Sequence, residues 1–115
     1  MDKQKEVQSE IVKFRDARDW QQFHTLNEMI KALSIEASEL LAESLWLKNS
    51  ELLDKAKNSD KVNDELADIY YWLLLIAHDL ELDLNEAMVK KLEKNKLKYP
   101  INKSKGSKEK YTQLL

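Results

Sequence analysis

The chain has 115 residues, enough for one domain and too few for two independent ones. With 43% hydrophobic and 35% charged residues it has the make-up of a globular protein, and the absence of cysteine excludes a disulfide scaffold, a thiolate metal site and a Cys nucleophile. The formal charge of −2 hides an asymmetry, −9 over residues 1–89 against +7 over residues 90–115.

One Gly and one Pro are too few for the many corners of a β architecture, and long helices need neither, so the fold class is all-α. The N-terminus lacks the charged-apolar-small pattern of a secretory leader, and the longest apolar run is far short of a membrane span. The expectation is a cytoplasmic protein with no membrane partner.

In chain order, the first helix is predicted from Asp2 to Arg18, with Val7, Ile11 and Phe14 on one stripe. "RDWQQFH" follows as a turn or broken helix. The second helix opens at Thr25, where "TLNE" has the form of a capping box, and runs to about Leu47 with Leu26, Met29, Ile30, Leu33, Ala37, Leu40 and Leu41 on one face. "KNSELLDKAKNS" is the longest connection, with room for a short helical piece. Ser59 or Asp60 caps the third helix, which reaches Leu80 and is apolar all the way round from Ile69 to Ala77, the pattern of a fully buried helix. "DLNE", a second capping box, starts the fourth helix, and Pro100 stops it because proline has no amide hydrogen to continue the ladder. The expected organisation is a helical domain over residues 1–100 and a basic tail over residues 101–115. Four helices, one of them apolar on every side, predict a four-helix bundle completed by oligomerisation, as a homo-oligomer that is a dimer or a tetramer.

Charged residues at the entrance to the apolar helix carry the chemistry. Glu65 and Asp68, spaced i, i+3, point the same way as Trp72, and Glu36 and Glu39 border the apolar face of the second helix. Antiparallel packing of those helices brings two carboxylate pairs together beside the core. A desolvated carboxylate costs several kcal/mol or more, so such a cluster needs protons or cations. Zinc favours His and Cys, and bundles that hold two irons use Glu-x-x-His, whereas "EASE" and "ELAD" offer carboxylates alone. Oxygen-only ligation suits Mg²⁺, with Mn²⁺ as its substitute, and Mg²⁺ completes its octahedron with water and phosphate. The competing reading is a set of solvated acids on helix faces.

Glu-x-x-Glu, a spacer, then Glu-x-x-Asp resembles the signature of the MazG-like all-α nucleoside triphosphate pyrophosphohydrolases. Here it reads Glu36-Ala-Ser-Glu39, then Leu40 to Asp64, then Glu65-Leu-Ala-Asp68. "RDWQQFH", "LAESLW", "DELADIYYWLL", "NKLKYP" and "KSKGSKEKYTQL" are similar, in order, to the small branch that includes the dCTP pyrophosphatases, over roughly Phe14 to Leu114. The resemblance implies Mg²⁺-dependent hydrolysis of a (deoxy)nucleoside triphosphate to the monophosphate and pyrophosphate, as house-cleaning of the nucleotide pool. It implies Glu36, Glu39, Glu65 and Asp68 as metal ligands, with Glu36 or Glu39 positioning the attacking water or taking its proton. It also implies Lys91 and Asn95, i, i+4 on the last helix, as phosphate ligands. Tyr99, one turn further, is read equally as a phosphate ligand or as packing before Pro100. Trp20, His24, Trp46 and Trp72 match positions around the nucleoside pocket, where aromatic planes stack bases. Trp72 stands where the dCTP branch usually has Tyr, which bears on base selectivity, and it is read equally as core. His78 is read as structural or exposed.

Two other function classes remain open at this point. One is a non-catalytic helical interaction module. The other is a nucleic-acid binder using the lysine-rich tail, against which stands the lack of any feature for base readout.

Overall fold

Six α-helices and two short 3-10 turns make up residues 2–114, which the structure, a computed structural model, describes; no strand occurs among these residues. Helix α1 (Lys3–Ala17) begins where the Asp2 carboxylate accepts the Lys5 N–H at 2.9 Å, satisfying one of the amides a helix N-terminus leaves unpaired. A 3-10 turn (Gln21–Phe23) occupies "RDWQQFH". Helix α2 (Leu26–Ser44) is capped by Thr25, whose Oγ1 accepts the Glu28 N–H at 3.3 Å. Only this half of the expected capping box is formed, because the Glu28 carboxylate turns to Lys31 at 3.2 Å. Helix α2 stops three residues before the predicted Leu47. The Ser44 hydroxyl donates to the Leu41 carbonyl at 2.7 Å, Leu45 is extended and Trp46 has φ 67.

The connection after it carries more than a short helical piece. It is a ten-residue helix, α3 (Asn49–Asn58), started by Glu51 accepting the Lys48 N–H at 3.0 Å. Lys55 of α3 forms an ion pair with the Glu43 carboxylate and donates to the Glu43 carbonyl at 3.1 Å, which takes Glu43 away from the other acids of α2. Helix α4 (Lys61–Asp79) follows Asp60. Helix α5 (Leu84–Lys98) is capped by Asp83, which accepts the Glu86 N–H at 3.0 Å, and it ends before Pro100. Pro100 then serves as N-cap of a single further turn, α6 (Ile101–Ser104).

The chain divides into two compact units, Met1–Glu81 and Leu82–Leu115. In the first, α4 is the central element, packed by α1, α2 and α3. Helices α2 and α4 run antiparallel: the rings of His24 and Trp72 meet at 5.0 Å at one end, and Glu36 and Glu39 meet Asp68 and Glu65 towards the other. The core is Met29, Leu74, Leu75 and Ala77, none more than 1% exposed. Burial of α4 on every side is not met within one chain, since Tyr70 and Leu73 remain 39% and 36% exposed. Three packed helices shield one side of α4 and leave the other open. In the second unit the segment after Pro100, predicted as a tail, has structure of its own: Tyr111 opens the second 3-10 turn (Tyr111–Gln113), its ring meets Tyr99 edge-on at 6.0 Å, and Lys98 Nζ lies 4.8 Å over it. The predicted boundary at residue 100 falls inside this unit. No helix among the described residues is long and apolar enough to cross a membrane.

Candidate active site

The antiparallel register of α2 and α4 brings the acids together. One carboxylate oxygen each from Glu36, Glu65 and Asp68 lies within 4.8 Å of the other two, and Glu39 is close enough for its carboxylate to raise the pKa of both Glu36 and Glu65. Spacing of i, i+3 on both helices is what turns the two pairs towards each other. Among the described residues, none of the ion pairs involves these four side chains.

Two oxygens of the cluster, Glu36 Oε2 and Glu65 Oε2, are buried without a hydrogen-bond partner. Burial, helped by the neighbouring Glu39 and Asp68, pushes the Glu36 carboxyl up to about 7, and burial with Glu39 raises Glu65 as well. Four acids, two of them with orphaned oxygens, with no ion-pair partner and with oxygen as the only donor atom, fit a hard divalent cation: Mg²⁺ and Mn²⁺ bind carboxylates in this way, and either would relieve the repulsion that now favours protonation.

A cleft of 1290 Å³ opens beside the cluster, lined from α1, α2 and α4 and from the two residues flanking the 3-10 turn, with Glu36 and Asp68 in its lining. Trp20, His24 and Trp72 line it too, so three of the four predicted base-binding residues share one space with two of the acids. Trp72 is half-buried and belongs to the cleft wall rather than to the closed core. Trp46 does not reach the cleft: the left-handed turn after α2 leaves it 98% exposed. Lys91 and Asn95 share a face of α5 by their i, i+4 spacing, Lys91 exposed and Asn95 half-buried. Tyr99 closes α5 by donating its N–H to the Asn95 carbonyl at 2.8 Å, and its ring packs on Tyr111. All three belong to the second unit. His78 is exposed, with Nδ1 3.0 Å from Asp79 Oδ1.

Sequence reasoning missed two features of this end of the unit, one lining the cleft and one buried outside its lining. Phe14 and Tyr71 link the predicted aromatics into a continuous edge-to-face series, Trp20 to Phe14 at 5.7 Å, Phe14 to Tyr71 at 6.3 Å, Tyr71 to Trp72 at 5.0 Å, then Trp72 to His24. The stripe of Val7, Ile11 and Phe14 on α1 faces the cleft, since all three line it. Arg15 is the second omission. It is fully buried, with Nη1 2.8 Å from Asp79 Oδ2 and Nε 3.2 Å from Asp16 Oδ1. The signal was there in the spacing, for Arg15 follows Val7 and Ile11 at steps of four on the same face.

Comparison with known proteins gives the arrangement a context. The model of the MazG-like family matches residues 31–114. The chain is similar to dCTP pyrophosphatase 1 of Mus musculus, 34% identical over 104 residues that cover 88% of this chain and 61% of that protein. It is similar also to dCTP pyrophosphatase 1 of Homo sapiens, 30% identical over the same shares. It thus spans about three fifths of the length of the curated relatives it matches. Among solved structures, that of a pyrophosphatase from Archaeoglobus fulgidus superposes with a TM-score of 0.80 at 31% identity, covering 87% of this chain and 94% of that one.

Proposed function

The chain belongs to the MazG-like family, and from that premise we propose that it hydrolyses (deoxy)nucleoside triphosphates to the monophosphate and pyrophosphate. The observation that carries this reading is the carboxylate cluster: three acids from two helices within 4.8 Å, two of their oxygens buried and unpaired, at the edge of an aromatic cleft. Glu36, Glu39, Glu65 and Asp68 hold Mg²⁺, for which Mn²⁺ substitutes. When bound, such ions supply Lewis-acid activation of water and neutralise phosphate charge.

The chain's own residues do the rest. Glu36 or Glu39 orients the attacking water and accepts its proton as the water oxygen bonds to the α-phosphorus. The bond from that phosphorus to the bridging oxygen breaks, and pyrophosphate leaves. Lys91 by its charge and Asn95 by hydrogen bonding grip phosphate oxygens, with Tyr99 one turn on. Trp20, His24 and Trp72 hold the base. A stack on one aromatic is worth roughly 1–3 kcal/mol where measured on single strands. The names of the curated relatives favour dCTP-like substrates. Modified pyrimidine deoxynucleotides are included in the proposed range, with house-cleaning of the nucleotide pool as the role. The working form is a homo-oligomer, a dimer or a tetramer, which the open side of α4 supports.

The test is a panel of the eight common triphosphates and several 5-substituted cytosine deoxynucleotides, incubated with Mg²⁺ and resolved by product. Pyrophosphate with monophosphate is the expected outcome, lost in Asp68→Asn. Release of orthophosphate and the nucleoside diphosphate contradicts the reading. No turnover and no thermal stabilisation by metal would leave the interaction module in its place.

A further inference from the structure

Tyr71 lines the cleft, and the proposed chemistry makes no use of it. It stands on α4 three residues after Asp68 and directly before Trp72, close to one turn of the helix, about 5 Å, from the acid. Two elements hold its ring. Phe14 of α1 meets it edge-on at 6.3 Å and 89°, and Trp72 of α4 at 5.0 Å and 89°. It is thus the middle ring of the series that runs from Trp20 to His24. Right-angled contacts on two sides fix the ring's orientation and leave little of its face for a base to stack on.

What the side chain offers a ligand is its hydroxyl. That group has no hydrogen-bond partner among the described residues. A half-buried phenol that spends none of its hydrogen-bonding capacity on the protein keeps it for what enters the cleft. Burial raises its pKa above the usual phenol value, so it carries its proton and can donate it.

The sugar is the covalent link between the phosphates and the base. A nucleotide with its phosphates at Glu36 and Asp68 and its base among Trp20, His24 and Trp72 has its sugar between the two sets. Tyr71 is between them on both counts, a turn from Asp68 and in ring contact with Trp72. On a deoxyribose one hydroxyl remains, at the 3′ carbon.

We propose that Tyr71 is a specificity-determining residue whose hydroxyl donates a hydrogen bond to the 3′-hydroxyl of the deoxyribose, so that the cleft selects nucleotides carrying that group. This rests on the nucleotide reading of the cleft and adds the sugar to it. A substrate without the 3′-hydroxyl forfeits the bond and leaves the phenol unpaired beside it.

The test sets two substrates against two proteins: dCTP and 2′,3′-dideoxy-CTP, with the wild type and Tyr71→Phe, reading kcat/KM from pyrophosphate release in Mg²⁺. The wild type should favour dCTP roughly three- to tenfold, the range of one neutral hydrogen bond. Tyr71→Phe keeps the ring and its two edge-on contacts, and it should bring the ratio close to one by slowing dCTP alone. A merely structural role would slow both substrates alike and leave the ratio in place, which overturns the proposal. So does a wild-type protein indifferent to the 3′-hydroxyl, an outcome that needs no folded variant. CTP is the third arm. A CTP to dCTP ratio that moves in Tyr71→Phe, while the dCTP to dideoxy-CTP ratio stands, would put the hydroxyl at the 2′ position and overturn the assignment. Should the wild-type protein hydrolyse no triphosphate, the proposed function fails, and calorimetric affinities for dCMP and 2′,3′-dideoxy-CMP decide the role of Tyr71. A preference for dCMP that is lost in Tyr71→Phe supports it; equal affinities, or no binding, overturn it.

Discussion

Glu36 is the residue on which structure and chemistry meet. Its carboxyl, raised to about 7 from 4.5 by burial and by the acids around it, keeps its proton in the folded state over a pH range in which the unfolded chain has released it. The native state therefore binds more protons between those two values, and stability falls as pH rises through that window; below it the contribution is complete. Glu65, raised for the same reason, acts in the same direction, whereas Asp79, lowered by Arg15, acts only below 3.8 and in the opposite sense. Thermal melts in a chelator should show the midpoint dropping from about pH 5 to about pH 7.5, and Glu36→Gln should flatten that slope. A slope unchanged in the variant would remove Glu36 from the cluster. At this scale the acids were legible because i, i+3 spacing beside an apolar face is a sequence property. The spacing put Arg15 on the face of Val7 and Ile11, but the reason for its burial was not legible, because its partner Asp79 is sixty-four residues away. Nor was the outward turn of Trp46, which hangs on a positive φ that no side-chain pattern announces.

Among the elements, α2 and α4 matter most, since their register alone makes four scattered acids one site. Leu75 is fully buried and lies between Asp68 and the helix end, so Leu75→Ala should cost about 2–5 kcal/mol by urea denaturation. The Thr25 cap is exposed and its bond is long at 3.3 Å, so Thr25→Ala should cost about 0.5–1 kcal/mol. Equal losses from the two changes would mean that α4 is not the centre of the unit. Both helices were readable from their periodicity, and the starts of α2 and α5 from Thr25 and Asp83. Helix α3 was not read as a full helix: its apolar residues are few, and Lys55 binding Glu43 supplies a tertiary tie that local pattern cannot reveal.

For the whole molecule, the fold class followed from one Gly, one Pro and long apolar stripes, and the helical count of the first unit differed only by α3. What one sequence cannot convey is how much apolar surface one chain leaves uncovered. Leu41 and Leu66, on the two helices that carry the acids, are 61% and 51% exposed, and Leu73 on α4 joins them. These exposed side chains are the surface that the proposed assembly would cover. Light scattering at low micromolar concentration should give at least twice the mass of one chain, and Leu66→Lys should lower it; a monomeric wild-type protein would contradict the assembly. The acids carry the proposed function, and anomalous diffraction at the manganese edge from crystals grown with Mn²⁺ and α,β-imido-dCTP tests their role most directly. A peak roughly 2.0–2.4 Å from carboxylate oxygens of Glu36, Glu65 and Asp68 is the predicted result. No peak there, with the analogue bound in the cleft, would contradict it.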